Sequence, residues 1–140
     1  MNRTSKKKIK EFQITEPLDE KDPPKPHEKK AARIIALEYQ SDILFIRKTD
    51  SCSPDILIKR TNEIWEIKSP LGDGKRTIDN NLREASDQAK NVFLDLSRIK
   101  MSQEKAVSKA KNFVYGKWKH RCHLKRLRVI LKNGTIIDIK

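Results

Sequence analysis

The 140-residue sequence predicts a single mixed α/β domain: a central mixed sheet flanked by helices, in the order α-β-β-β-α-β-α-β-β. Three observations predict it. Apolar residues recur at helical spacing in three separate segments, and strand-length apolar runs stand between them. Near the end, Asn133-Gly134 separates two further strand-like runs, the strongest short-range signal for a hairpin. The length suits one domain with one moderate core.

Residues 1–26 read as a leader or linker, expected to be disordered: "TEPLDEKDPPKPHEKK" mixes prolines with alternating charge and offers almost nothing to bury. The folded domain is expected over 27–140. Its first helix covers about 27–40, where Ala31, Ile34, Ile35, Leu37 and Tyr39 mark an apolar side. "DILFIRK" (Asp42–Lys48) is a first strand, closed by the polar "TDSCSP" loop. Pro54 stands at the edge of the second strand, where a missing N–H is tolerated. That strand runs Asp55–Arg60 and the third Ile64–Ser69, with a polar turn at Thr61-Asn62. After the Gly-rich loop "PLGDGKR" a helix spans about Thr77–Lys90, and "NVFLDLS" (Asn91–Ser97) is a fourth, mostly buried strand. A helix over about Ser102–Trp118 places Ala106, Val107, Ala110, Phe113 and Val114 at helical spacing, and the hairpin "RLRVILK"/"TIIDIK" closes the order.

Hydrophobic and charged residues each make up 36% of the chain, so a compact core lies under a heavily ionised surface. No apolar run approaches the ~18 residues of a membrane span, and the start, "MNRTSKKKIKEF", lacks the apolar stretch of a signal peptide. Two cysteines, Cys52 and Cys122, make no disulfide framework, and reduced thiols are expected. The net charge of +13 is unevenly spread. Residues 1–30 hold nine Lys/Arg against six Asp/Glu, residues 31–97 ten against eleven, and residues 98–140 thirteen against two. A basic block beside a slightly acidic centre fits a polyanion-binding surface next to a cation site, a solvated face being the plainer reading. Trp118 with Lys117, Lys119, Arg121, Lys125, Arg126 and Arg128 reads as a basic, partly aromatic surface able to grip nucleic acid.

Three charged residues sit among the isoleucines of the second and third strands: Asp55, Glu66 and Lys68. Side chains alternate along a strand, so Glu66 and Lys68 share one face while Trp65 and Ile67 take the other. With Thr61-Asn62 as the turn, Leu57 is expected opposite Glu66 and Asp55 opposite Lys68, gathering all three at one end of the hairpin. Two carboxylates suit a hard divalent ion such as Mg²⁺, and a neighbouring lysine can orient water or stabilise a developing oxyanion. An exposed cross-strand ion pair, worth only ~0.2–1 kcal/mol, accounts for the same spacing. In the following helix Thr77, Asn81, Glu84 and Gln88 form a polar stripe beside the apolar Ile78, Leu82, Ala85 and Ala89. Ordinary helix surface is the simpler account of Asn81 and Glu84. "PLGDGKR" lacks the P-loop spacing, though Lys75 and Arg76 are placed to meet phosphates. "HRCH" (His120–His123) would need nearly every His and Cys of the chain to close a structural zinc site.

Pro54-Asp55, a ten-residue gap, then Glu66-Ile67-Lys68 resembles the PD-(D/E)XK nuclease pattern, and the α-β-β-β-α-β order resembles that superfamily's core. The run "PDILIKRTNEIWEIKSPLGDGKRTIDNNLREASDQAKNVFLDLSR" is similar to the C-terminal toxin domains of CdiA-type contact-dependent inhibition proteins, tRNA-cleaving ones among them; the similarity covers about Pro26–Lys140. The resemblance implies a metal-dependent phosphodiesterase using Mg²⁺ or another divalent ion such as Mn²⁺, with Asp55 and Glu66 as metal ligands and Lys68 as catalytic lysine. It implies a further glutamate from the first helix, for which Glu28 is favoured over Glu38, and substrate-side roles for Gln88 and Thr77, with Asn81 beside them. An N-terminal glutamate that complements the helix dipole explains Glu28 equally. Lys75, Arg76, Lys125, Arg126 and Arg128 are the expected phosphate contacts. tRNA is the favoured substrate, DNA the alternative, and a non-catalytic nucleic-acid-binding module the third reading. The resemblance further implies delivery from a producer cell, action in the target-cell cytoplasm, and a cognate immunity protein. That partner is expected to be acidic where it meets residues 98–140.

Overall fold

The structure, a computed structural model, describes residues 11–17, 23–47, 54–116, 119 and 122–140. The expectations for Lys48, Cys52, Lys117, Trp118, His120 and Arg121 lie outside the described residues. Among the described residues, seven strands form one sheet in sequence order: β1 (Ile14–Thr15), β2 (Ile43–Phe45), β3 (Ile56–Ile58), β4 (Glu63–Lys68), β5 (Asn91–Asp95), β6 (Arg126–Ile130) and β7 (Ile136–Asp138). Three helices accompany them: α1 (Pro26–Tyr39), α2 (Thr77–Gln88) and α3 (Gln103–Tyr115). The β1–β2, β4–β5 and β5–β6 pairs are parallel, and the other three are antiparallel. From α1 onward the sheet is the mixed one expected. One strand is additional: Ile14–Thr15, inside the stretch read as leader, pairs with β2, and Asp42 accepts the Gln13 N–H at 2.9 Å.

Local chemistry explains the boundaries. α1 begins on Pro26, whose missing N–H falls where no intrahelical bond is lost, and ends where Gln40 turns left-handed at φ 52°. Ser102 caps α3 by accepting the Lys105 N–H at 3.2 Å. In the β6–β7 hairpin the Gly134 N–H bonds to the Leu131 carbonyl at 2.9 Å, and Gly134 itself takes φ 90°. Only a residue without a Cβ adopts that angle cheaply.

Two cores lie on opposite faces of the sheet. Under α1 sit Ile43, Phe45, Ile56, Ile58, Trp65, Ile67, Phe93 and Ile130. Under α2 and α3 sit Val92, Leu94, Leu127 and Val129. Alternation then fixes every other side chain: on β4, Trp65 and Ile67 face α1, while Ile64, Glu66 and Lys68 face the α2 side. Among the described residues no helix is long and apolar enough to cross a membrane.

Candidate active site

The hairpin register brings the two carboxylates together more closely than the sequence suggested. Ile58 pairs with Glu63, Leu57 with Ile64 and Ile56 with Trp65. One step further the ladder becomes irregular: the Asp55 N–H donates to the Trp65 carbonyl at 3.1 Å, so Asp55 sits beside Glu66 and not opposite Lys68. The shift arises because the loop spans Lys59–Asn62 in place of a two-residue turn: Asn62 adopts φ 60° and its N–H reaches the Ile58 carbonyl at 2.8 Å. Both carboxylates are buried, at 5% exposure each. Asp55 is at the strand's start, where the ladder runs out of backbone acceptors, and its Oδ2 accepts the Ile67 N–H at 2.8 Å.

Lys68 completes the group. Its Nζ lies 2.9 Å from Glu84 Oε1 and 3.8 Å from Glu66 Oε2. Glu84 projects from α2, 71% exposed, and the hydrogen bond and charge of Lys68 hold its carboxyl below the ordinary value of 4.5. The sequence placed Glu84 in the polar stripe with Thr77, Asn81 and Gln88 but assigned it to helix surface; the stripe itself was the signal. Gln88 Oε1 is buried, and Asn81 Nδ2 donates to the Thr77 carbonyl at 2.8 Å. At Thr77, α2 begins under the Gly-rich loop: a Cβ on Gly72 or Gly74 would stand 3.3 Å from Thr77 Oγ1. Exposed Lys75 and Arg76 precede it, and Lys109 of α3 donates to the Lys75 carbonyl at 3.2 Å.

Other expected residues go elsewhere. Glu28 belongs to the helix on the far face, and its Oε1 accepts the Lys25 N–H at 2.8 Å, closing the cap of α1. Arg126 and Arg128 alternate with Leu127 and Val129 and therefore face α1, across the sheet from Lys68. Arg126 lies 2.7 Å from Glu63 and 4.8 Å above the Trp65 ring. Arg128 is bound by Glu38 at 3.2 Å, by Asp138 and by the Tyr39 hydroxyl at 3.0 Å. Burial works against the charge of Arg128, yet the Tyr39 and Asp138 hydrogen bonds outweigh it. Arg128 thus joins α1 to the sheet, while Arg126 ties β6 to β4; of the three, Lys125 alone is exposed. Glu38, the other first-helix candidate, is likewise committed to Arg128.

Beyond Lys68 the strand end is clamped. Ser69 Oγ donates to the buried Asp95 Oδ2 at 3.3 Å, and Arg98 donates to the Ser69 carbonyl at 3.0 Å. His27 lies near this clamp, and burial, followed by the charge of Arg98, lowers its pKa below 6.5.

Among the described residues no three His, Cys, Asp or Glu side chains gather closely enough to cage a metal unaided. Two neighbouring carboxylates do fit Mg²⁺, which keeps several waters and is commonly held by one or two carboxylates together with substrate phosphate.

The pattern of the contact-dependent growth inhibition CdiA C-terminal domain matches residues 52–136. The chain is also similar in fold to a chain of a "CdiA-CT/CdiI toxin and immunity complex" from Burkholderia pseudomallei. The match has a TM-score of 0.57 at 17% identity and covers 91% of this chain and 99% of that one. No curated protein sequence matches. With Asp55, Glu66, Lys68 and all of α2 inside the matched segment, the chain belongs to the CdiA C-terminal domain family of contact-dependent growth inhibition.

Proposed function

We propose that this domain is the toxin of its system and acts as a metal-dependent nuclease of the PD-(D/E)XK type, with tRNA as substrate. The observation that carries this reading is a buried Asp55, bonded to the backbone on both sides of the buried Glu66 at Trp65 and Ile67, with Lys68 two residues on. Burying two carboxylates side by side costs stability that a purely structural hairpin has no reason to bear. Asp55 and Glu66 would hold a divalent ion, which would supply Lewis-acid stabilisation and an activated water. The chain does the rest. Asp55 is oriented by the Ile67 amide, and Lys68, steered by Glu84 and Glu66, presents an ammonium to the charge that develops on the scissile phosphate. Lys75, Arg76 and Lys109 set positive charge at the start of α2, where a phosphate backbone is attracted.

The family assignment and the fold shared with a chain of a toxin–immunity complex support two further readings. The domain is delivered from a producer cell to act in the target cytoplasm, and a cognate immunity protein neutralises it. Exposed Lys119, Lys125, Lys132 and Lys140 favour an acidic face on that partner.

The test is incubation of the pure protein with total RNA and with plasmid, each in Mg²⁺ or in chelator. Shortened tRNA, intact plasmid, and no cleavage in chelator or by Glu66→Gln are expected. Degraded plasmid beside intact tRNA would move the substrate to DNA, and full activity in chelator would remove the metal.

A further inference from the structure

The sheet face that carries Asp55 and Glu66 continues, on its open side, into a row of apolar side chains. Leu44 pairs with Leu57 and Leu57 with Ile64, so the three line up across β2, β3 and β4 on the α2 side. Ile46, two residues past Leu44, extends the same face beside Asp55, whose carbonyl accepts the Ile46 N–H at 2.9 Å. α1 packs against the opposite face, and α2 lies along β4 and β5; among the described residues no helix covers this side of β2 and β3. Ile64 is 48% exposed, Leu44, Ile46 and Leu57 are half-buried, and none of the four belongs to either core. At strand spacing the row spans about 10 Å, and Ile64 lies about 7 Å along β4 from Glu66.

We propose that this shelf seats the bases of an unpaired stretch of nucleic acid, so that the site cleaves within single-stranded rather than paired nucleotides. The inference rests on the nuclease reading above. A phosphodiester at Asp55 and Glu66 sets its adjoining nucleoside against Leu57 and Ile64, because the same strands carry both. A paired base is turned into its duplex, which leaves only ribose and phosphate to lie on aliphatic carbon and lose water without compensation. Unpaired bases offer flat apolar faces that such a surface accepts whatever the sequence. A second copy of the chain fits poorly: four partly buried aliphatic side chains fall far short of the ~1,000 Å² that a stable protein interface buries.

The test uses the full chain carrying Lys68→Ala, which retains the shelf while slowing cleavage. Its affinity is measured for a short RNA strand and for the same strand annealed to its complement. Adding Ile64→Asp should weaken single-strand binding about fivefold or more, the scale of one lost apolar contact, and leave duplex binding unchanged. Should Ile64→Asp fail to fold, Ile64→Thr, a β-branched strand former, should give the same ranking with a smaller factor. Equal losses on both forms, or a duplex preference indifferent to residue 64, would overturn the shelf while leaving the nuclease intact. An unchanged RNA affinity with loss of a self-associated species in sedimentation would give the face to a second copy, and overturns it too. If the wild-type protein neither binds nor cleaves any nucleic acid, the nuclease reading has failed and the shelf falls with it.

Discussion

Replacing Asp55 in two ways separates its structural bond from its chemistry. Its Oδ2 accepts the Ile67 N–H, and both residues are buried at 5% exposure. Asp55→Ala strands that amide without a partner, a loss of about 1–3 kcal/mol. Asp55→Asn keeps an acceptor oxygen of the same shape and removes the charge that faces Glu66, so in chelator it should be at least as stable as the wild type. Saturating Mg²⁺ should stabilise the wild-type protein by about 2.7 kcal/mol at a hundred times the dissociation constant; both variants should lose that increment, and with it cleavage. The assay is urea denaturation with and without Mg²⁺, read alongside cleavage of total RNA. Equal stability of the Ala and Asn variants would refute the role given to the amide bond. Mg²⁺ stabilisation surviving in Asp55→Asn would place the ion elsewhere.

The remaining predictions concern charge and backbone. Reversing Lys75 and Arg76 to glutamate should lower the log–log salt slope of RNA binding by roughly 0.7–0.9 per lost contact. Arg128→Glu should leave that slope unchanged while lowering the denaturation midpoint, because Glu38, Asp138 and Tyr39 lose their shared partner. Glu84→Gln should reduce kcat by no more than about fivefold with KM unchanged, since a pair this exposed is worth under ~1 kcal/mol. Because Lys68 holds the Glu84 carboxyl below 4.5, their pairing is complete above that pH and is lost as pH falls through the lowered value. A pH–rate profile that loses Lys68 orientation above 4.5 would contradict it. Gly134→Ala should cost about 1–2 kcal/mol, because Gly134 sits at φ 90°, and leave RNA cleavage untouched.

Much of this architecture was legible because each long element repeats one signal. α1, α2 and α3 carry apolar residues at helical spacing, and Asn133-Gly134 marks the last hairpin. β1 was hidden because two residues, Ile14 and Thr15, show no period at all, and their pairing with β2 is a tertiary fact. The trio Asp55, Glu66 and Lys68 was visible, yet its register was not. A four-residue loop and a two-residue turn leave the same residues on each face while sliding one strand past the other. The partners of Arg126 and Arg128 were hidden for a related reason. A run of basic residues announces a phosphate surface only when its own acids are far away, and Glu38, Glu63 and Asp138 come from three other elements. Glu84 looked like solvated helix because the lysine that gives it meaning lies sixteen positions earlier.

The arginine on β6 has one more consequence. Arg128 clasps Glu38 and Tyr39, some ninety positions upstream, and β6 supplies the parallel edge against which β5 completes its ladder. Residues 55–88, which hold Asp55, Glu66, Lys68 and Glu84, therefore gain their full support only after the chain has been produced well past residue 128. Pairing across that distance is slow compared with hairpin and helix formation. A partly emerged chain thus carries Asp55, Glu66 and Lys68 and still lacks the strand frame that fixes them.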